Sequence, residues 1–317
     1  MKLNKNKLIK IEGDASFRIF YRKKGAKRKS IIVYSKKEKI KNLLIYDAIN
    51  KILIKNKILA PCLYKETYKQ NFIEIEDFGN DTVFNLLKKN NVNKIKLYKK
   101  SIDLLNKIQK IKQKKVKNFK GEYYKIPKYN NKELLTEAKL FSEWYAKKHI
   151  SKKNMSKFKF QINKQIKFLL SKLKLKNDIF VHRDFHVSNL MNYKKKFAVI
   201  DTQDALIGRR AYDLASLIDD VRLKTSNELK EKVFKFYVKT NKKIDLEKFK
   251  KDFEILSILR NLKIIGIFMR LAFRDKKKKY LKLIPYAWEM INHRIKKQNE
   301  FKNLIMLLKN NFPKFIR

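Results

Sequence analysis

Short apolar runs of strand periodicity fill most of the first 80 residues and enclose one helical segment. Residues 17–22 alternate two sets of side chains with a period of two, and residues 30–34 and 72–76 are rich in β-branched and aromatic side chains. Residues 40–57 place apolar side chains at helical spacing. This part of the chain therefore predicts a small sheet with one helix.

After residue 82 the pattern becomes helical, except at 179–201, where two apolar runs flank a polar turn at 192–196 and predict a β-hairpin. Helices are predicted at residues 132–149, 154–175, 226–241, 246–273 and 280–296. We therefore expect an α+β protein with a β-sheet lobe of residues 1–79 and a mainly helical lobe of residues 80–317. Ligands commonly bind where two such lobes join.

Positive charge is the most unusual feature of the composition. Lys and Arg number 81 against 30 acidic residues, a net charge of +51, but only 12 of the 81 are Arg. Surfaces that bind phosphate groups or nucleic-acid grooves favour Arg because its planar fork binds bidentately. We therefore interpret the charge as a compositional bias towards Lys, Asn and Ile. A polyanion-binding surface is the alternative.

Cysteine use and hydropathy exclude several protein classes. The one cysteine, Cys62, cannot form an internal disulfide or a zinc site built on several thiolates. No run of 18 apolar residues predicts a membrane-spanning helix, and residues 1–10 lack the apolar core of a signal peptide. We expect a cytoplasmic, monomeric protein that does not contact membranes.

The clearest chemistry lies in the segment HRDFHVSN at 182–189, which Asp201 follows twelve residues after its last position. Asn189 opens the predicted hairpin and Asp201 ends it, so the two lie on adjacent strands, about 4.8 Å apart. Both offer oxygen ligands of the kind that Mg²⁺ prefers. Asp184, on the preceding loop, can orient a hydroxyl and accept its proton in phosphoryl transfer. The pattern is a protein-kinase-like signature; the alternative is a turn former, a cap and a strand end.

Residues around this segment have less specific interpretations. His182 either makes a scaffold hydrogen bond beneath the loop or is a core histidine. Asp213 precedes an amphipathic helical pattern, so we expect it to be the helix N-cap and possible brace of the loop. Asp219 and Asp220 are expected on the solvated face of that helix.

A turn in the small lobe could bind nucleotide phosphates through its backbone N–H groups. It consists of Gly13, Asp14, Ala15 and Ser16. Because it holds one glycine rather than several, a plain hairpin turn is the alternative.

Five segments together carry a family resemblance. They are GDASFRIFYR (13–22), IEIEDFGNDT (73–82), YNNKELLTEAKLFSEWY (129–145), FVHRDFHVSNLM (180–191) and VIDTQDALIGRRAYDLASLIDD (199–220). With them the chain resembles the aminoglycoside phosphotransferase/choline kinase superfamily, which has the protein-kinase-like fold. It is more closely similar to the bacterial N-acetylmuramate/N-acetylglucosamine anomeric kinases. The similarity runs in order from about residue 11 to residue 222.

The resemblance implies ATP- and Mg²⁺-dependent phosphorylation of the anomeric hydroxyl of an amino sugar, in peptidoglycan recycling. It implies that Asp184 is the catalytic base, that Asn189 and Asp201 hold Mg²⁺, and that residues 13–16 form the phosphate loop. The hinge that faces adenine would be Glu76, Asp77 and Phe78. Candidates near the sugar are residues 129–145, including Glu137 and Trp144, together with Gln203 and Asp204. His182 and Asp213 would support the site.

The sequence also departs from the family pattern. A protein kinase carries a Lys in its third strand to hold the phosphates, and residues 31–34 contain none. Arg18 is the first candidate to supply this charge, with Lys29 and Lys36 as alternatives. Thr202 stands where the family has Phe. The predicted metal centre is unaffected, so these differences bear on sugar specificity.

Two other functions remain open. The chain could phosphorylate choline or an aminoglycoside, although aminoglycosides are polycations, which a chain with a charge of +51 attracts poorly. It could also bind nucleic acid on a kinase-like scaffold, an idea that rests on net charge alone and predicts a steep salt dependence of binding. We expect a small-molecule sugar substrate and no nucleic-acid partner.

Overall fold

The structure, a computed structural model, describes part of the chain: residues 8–11, 18–25, 28–35, 42–296 and 299–316. The chain divides into two compact units. Unit 1 comprises Met1–Pro127 and Phe180–Ile207, and unit 2 comprises Lys128–Ile179 and Gly208–Arg317. The lobe boundary at residues 79/80 stays a prediction.

The first 80 residues hold the predicted sheet strands and one helix, and the rest of the chain is mostly helical, with strands also at Lys115–Lys117, Tyr123–Lys125 and Leu206–Arg209, which were not predicted. The strands are β1 (Leu8–Ile11), β2 (Arg18–Lys23), β3 (Ser30–Ser35), β4 (Leu63–Thr67), β5 (Phe72–Glu76), β6 (Lys115–Lys117), β7 (Tyr123–Lys125), β8 (Asn177–Val181), β9 (Leu190–Tyr193), β10 (Lys196–Val199) and β11 (Leu206–Arg209). The helices are α1 (Asn42–Lys55), α2 (Val83–Leu87), α3 (Lys94–Gln109), α4 (Asn131–Ala138), α5 (Lys147–His149), α6 (Lys152–Ser171), α7 (Ala211–Ile218), α8 (Asn227–Thr240), α9 (Leu246–Phe273), α10 (Ile284–Ile295) and α11 (Lys302–Asn311). None of the helices in the described ranges combines the length and the apolar character needed to cross a membrane.

A five-stranded antiparallel sheet with strand order β1-β2-β3-β5-β4 forms the core of unit 1. Val33 of β3 lies opposite Ile73 of β5, and both are fully buried. Leu43 and Tyr46 of α1 pack on the same cluster. The period-two pattern thus gives the sheet one apolar face, which α1 covers. The predicted fold class, a kinase-like α+β fold with a small antiparallel sheet and mainly helical remainder, is confirmed.

The hairpin β9–β10 also belongs to unit 1 and pairs Leu190 with Val199. Its turn is tighter than the predicted 192–196: Lys194 and Lys195 alone connect the strands, both with positive φ. Two consecutive left-handed residues match the right-handed twist of a two-residue hairpin. Backbone bridges to Leu59 and Thr82 hold the hairpin on both sides.

Long α9 is the central helix of unit 2, with the predicted bounds. A Cβ on Gly266 would lie 2.3–2.6 Å from the backbone of Leu140 and Phe141, so the two segments touch backbone to backbone. At this contact the predicted helix 132–149 is interrupted by a π-helix over Phe141–Ala146. Such segments are rare, and sequence periodicity did not predict this one.

Two expectations for α7 are wrong. The helix begins at Ala211 after Arg210, so Asp213 lies in its first turn and is not the N-cap. Asp219 is fully buried and Asp220 nearly so, because every residue of α7 is buried and the helix has no solvated face. Asp219 bonds to Arg294 at 2.9 Å, to Lys230 at 3.2 Å and to Ser257 at 2.6 Å.

Candidate active site

The loop at 182–189 is bonded to the hairpin that follows it. Asn189 donates from Nδ2 to the backbone oxygen of Asp184 at 3.0 Å, and its own backbone oxygen accepts from Ile200 N at 3.0 Å. Asp201 is therefore the residue after the partner of Asn189, as the hairpin prediction requires. Asp184, Asn189 and Asp201 all lie in unit 1, where these two bonds link the loop to the hairpin end.

Asp201 has an uncommon backbone conformation for a residue other than glycine, with φ = 62°. Left-handed residues of this kind cluster at functional sites, where the surrounding structure holds them in place. Its side chain is 37% exposed, so a carboxylate is presented at the end of the hairpin rather than enclosed in the core.

The donor set at the hairpin end fits Mg²⁺. Asn189 bonds to Asp184 through Nδ2, so its amide oxygen is the atom of this side chain that could bind a metal together with the Asp201 carboxylate. The described residues contain no cluster of three or more His, Cys, Asp or Glu that could hold a metal by protein side chains alone. One amide and one carboxylate suit a Mg²⁺ ion that is bound together with substrate phosphates, as Mg²⁺ usually is.

Arg18 connects strand β2 to this carboxylate. Its Nη2 donates to Asp201 Oδ1 at 2.6 Å and its Nη1 donates to Gln203 Oε1 at 2.7 Å. Gln203 Nε2 in turn donates to Asp201 Oδ1 at 3.2 Å and to Asp204 Oδ2 at 2.7 Å. The predicted nucleotide residue Arg18 and the predicted sugar candidates Gln203 and Asp204 therefore form one network with the predicted metal ligand.

Arg18 lies on β2, next to β3, the strand that carries the phosphate-binding Lys in protein kinases. It lies directly opposite Ser35 at the end of β3. Its side chain is only 3% exposed, while Lys29 is exposed. The geometry favours Arg18 over Lys29 as the replacement cation. Lys36 and the predicted phosphate turn of residues 13–16 lie outside the described residues.

His182 supports the loop from inside the protein. The ring is fully buried and its Nε2 lies 3.0 Å from the backbone oxygen of Ile200, to which it donates. Burial lowers the pKa of His182, and the negative charges of Asp184 and Asp201 offset this only in part. The histidine is therefore neutral at pH 7 and joins the strand before the loop to the end of the hairpin.

Thr202 joins the same region to α1. It is fully buried, and its hydroxyl donates to Asn50 Oδ1 at 2.5 Å, while Asn50 Nδ2 donates to the backbone oxygen of Pro61 at 3.0 Å. The buried hydroxyl at this position is thus hydrogen-bonded. Tyr46, one turn before Asn50, contacts the Arg18 guanidinium, and its burial raises the pKa of its phenol to about 12.

The predicted hinge residues Glu76, Asp77 and Phe78 each contact another side chain of the protein. Asp77 is buried and pairs with Arg22 at 2.5 Å. The Phe78 ring packs 4.7 Å from the ring of Tyr193, which also donates to Glu76 at 3.2 Å. Their contact with adenine stays a prediction.

The remaining sugar candidates lie in unit 2. The Glu137 carboxylate accepts from the Tyr129 hydroxyl and pairs with Lys263 at 2.9 Å. Tyr212 bonds to Tyr129 at 3.0 Å and accepts from Lys263 at 3.3 Å. Tyr129 lies in the predicted range 129–145. Asn50, Lys263 and Tyr212 were not predicted; the first two lie outside the five segments and Tyr212 lies inside the last of them.

Trp144 is a half-buried residue of the π-helix that interrupts α4–α5. Asp213 is fully buried in unit 2. The sugar contact of Trp144 and the bracing role of Asp213 stay predictions.

Comparison with known proteins agrees with this chemistry. Residues 7–246 match the phosphotransferase enzyme family. The chain is similar to proteins named N-acetylmuramate/N-acetylglucosamine kinase: 25% identity to that of Pseudomonas putida, covering 94% of this chain and 86% of the relative, and 27% identity to that of Neisseria meningitidis serogroup B, covering 93% and 87%.

Solved structures show the same fold at low identity. An ethanolamine kinase from Plasmodium vivax has a TM-score of 0.63 and 18% identity, covering 91% of this chain and 84% of the other. A choline kinase from Cryptosporidium parvum has a TM-score of 0.60 and 13% identity, covering 98% and 94%. The kinase-like fold predicted from the motifs is therefore found in both comparisons.

Proposed function

This chain belongs to the phosphotransferase enzyme family and is a kinase with a hydroxyl acceptor, and we propose that it phosphorylates the anomeric hydroxyl of an amino sugar with ATP. N-acetylmuramate and N-acetylglucosamine are the proposed acceptors, because both are in the names of the relatives that match most of the chain. The proposed setting is peptidoglycan recycling in the cytoplasm.

One observation carries the reaction type: the hairpin β9–β10 presents Asn189 and Asp201 at one end, bonded to the loop of Asp184. In this proposal Asp184 orients the sugar hydroxyl and accepts its proton. Asn189 Oδ1 and the Asp201 carboxylate hold Mg²⁺. The bound ion would neutralise charge on the phosphate oxygens during transfer.

The other predicted residues take supporting roles in the proposal. Arg18 supplies the phosphate-binding charge that β3 lacks, together with residues 13–16, and residues 76–78 line the adenine. Two candidates in unit 2, Glu137 and Trp144, are proposed to contact the sugar. The Tyr129 and Lys263 bonds fix the Glu137 carboxylate, so it would present an oriented acceptor to a sugar hydroxyl.

A substrate panel tests the acceptor. The purified protein is given ATP and Mg²⁺ with N-acetylmuramate, N-acetylglucosamine, glucosamine, choline or kanamycin, and the phosphorylated position is read by phosphorus NMR. We expect anomeric phosphate with the two N-acetyl sugars. Phosphate on another oxygen, or transfer only to choline or kanamycin, would refute the sugar 1-kinase proposal.

A matched pair of variants tests the base. Asp184→Asn removes the proton acceptor, and we expect kcat to fall about 10²–10⁴-fold, the usual contribution of general-base catalysis. Asp178→Asn changes an exposed carboxylate six residues earlier and should leave kcat unchanged. Near wild-type kcat in a folded Asp184→Asn protein would exclude Asp184 as the base.

A further inference from the structure

The carboxylate proposed to bind Mg²⁺ already has a counter-ion in the protein. Arg18 Nη2 lies 2.6 Å from Asp201 Oδ1, and Gln203 Nε2 lies 3.2 Å from the same oxygen. A metal ion and a guanidinium carry charges of the same sign, so they compete for this carboxylate. The contact therefore has a consequence for metal binding.

The Arg18 guanidinium is buried beside two aromatic rings. Its side chain is 3% exposed, and the rings of Phe20 and Tyr46 lie 5.4 and 5.7 Å from the guanidinium carbon. An uncompensated charge in such a place is strongly unfavourable. When a metal ion takes Asp201, a nucleotide phosphate oxygen can replace the carboxylate as an anionic partner of Arg18.

Gln203 bonds to both Arg18 and Asp201. Its Oε1 accepts from Arg18, which directs Nε2 towards Asp201 and Asp204. Because Nε2 donates to both carboxylates, the amide joins the Arg18 guanidinium to Asp201 and Asp204. Gln203 is in this respect a positioning residue.

We propose that Arg18 is an exchangeable counter-ion, which pairs with Asp201 in the metal-free protein and with nucleotide phosphate oxygens once a divalent ion takes the carboxylate. The inference rests on the proposed kinase function. It adds that the metal ion and the nucleotide bind cooperatively: each binds more tightly when the other is present. The exchange leaves the buried guanidinium paired in both states.

The exchange predicts opposite effects of one substitution on two ligands. Removing the guanidinium removes the competitor for Asp201, so a metal ion alone should bind more tightly. It also removes a phosphate contact, so the nucleotide should bind less tightly. A purely structural role of Arg18 would weaken both.

The test uses Arg18→Gln, with Mn²⁺ as a paramagnetic probe of the metal site. Free Mn²⁺ is counted by electron paramagnetic resonance without nucleotide, and ATP binding is measured by calorimetry with Mg²⁺ present. We expect Mn²⁺ affinity to rise about tenfold and ATP affinity to fall about tenfold or more, the effect of one charge-assisted hydrogen bond. Unchanged or weaker Mn²⁺ binding in the folded variant would overturn the exchange.

Lys23→Gln is the matched control. Lys23 lies on the same strand and also forms an ion pair, with Glu74 at 2.9 Å, so its replacement changes net charge equally. We expect neither affinity to change by more than about twofold, because salt screens a partly exposed charge that does not bond to Asp201. A Mn²⁺ gain equal to that of Arg18→Gln would mean that net charge, not the exchange, controls metal binding, and would also overturn the proposal.

Arg18→Lys covers the case in which Arg18→Gln does not fold. It keeps a cation but loses the fork that bonds Asp201 and Gln203 together, so Mn²⁺ affinity should rise about threefold and ATP affinity should fall. No rise in Mn²⁺ affinity would count against the exchange. The substrate panel fails or succeeds separately: opposite shifts without sugar phosphorylation would support the exchange and refute the acceptor.

Discussion

Replacing the buried carboxylate Asp219 with its neutral isostere should destabilise unit 2 severely. In Asp219→Asn the volume is kept and the negative charge is lost, while Arg294 and Lys230, with side chains 6% and 2% exposed, remain charged. The Arg294 guanidinium and the Lys230 ammonium then lie close together without the carboxylate that neutralises them. Removing one partner of a buried pair costs about 3–5 kcal/mol, against a total of about 5–15 kcal/mol for a folded domain.

Asp275→Asn provides the matched control for this variant. Asp275 bonds to Arg274 with both oxygens, at 2.8 and 2.9 Å, but the two side chains are 29% and 56% exposed. A pair of this kind contributes about 0–1 kcal/mol. The same chemical change is therefore expected to have a much smaller effect where solvent screens the charges.

Thermal and urea unfolding of both variants at pH 7 measures the difference. A second substitution, Lys230→Met, should cost less in Asp219→Asn than in the wild type, because it removes one of the uncompensated cations. If Asp219→Asn loses no more stability than Asp275→Asn, the carboxylate does not stabilise the fold by neutralising the two buried cations.

Two further predictions concern close packing and pH. Gly266→Ala should destabilise the protein, because the added Cβ would lie 2.3–2.6 Å from the backbone of Leu140 and Phe141. Overpacking costs about 1–3 kcal/mol, which outweighs the ~1 kcal/mol gained in helix propensity. A melting temperature at or above that of the wild type would contradict this. Because the pKa of His182 is lower in the folded, metal-free protein than in the unfolded chain, the unfolded chain binds a proton at a higher pH than the folded protein does. The free energy of unfolding is therefore at its full value above about pH 6.5 and decreases below it. His182→Gln should flatten this acid limb in urea titrations between pH 7 and 5, and identical slopes in both proteins would exclude the histidine as its source.

Local periodicity was sufficient where an element is defined by its own residues. Strand β5 and helix α9 have the predicted bounds, Phe72–Glu76 and Leu246–Phe273. The first is a short alternating run between turns, and the second follows the N-cap Asp245, whose side chain accepts from Lys248 N at 3.1 Å. In both cases the signals for beginning and ending lie within a few residues of the element.

Asp219 could not be placed by the same reasoning. Its partners Lys230, Ser257 and Arg294 lie 11, 38 and 75 residues further along the chain, in three different helices. An amphipathic pattern describes one helix and assumes solvent on its polar side. For α7 other helices occupy that side, so the acidic residue after it is neutralised by bonds that no local pattern contains.

The candidate site combines both situations. Asn189 and Asp201 were predicted together because a hairpin fixes which residues are adjacent, and Ile200 N bonds to the Asn189 backbone oxygen as that pairing requires. The contact of Arg18 with Asp201 spans 183 residues and links a sheet strand to the hairpin end. Sequence could suggest Arg18 as a phosphate ligand from the missing strand Lys, but not that the same guanidinium would occupy the metal carboxylate. Because that occupancy is a property of the folded chain alone, binding measurements on Arg18 variants can test it without any assumption about the sugar.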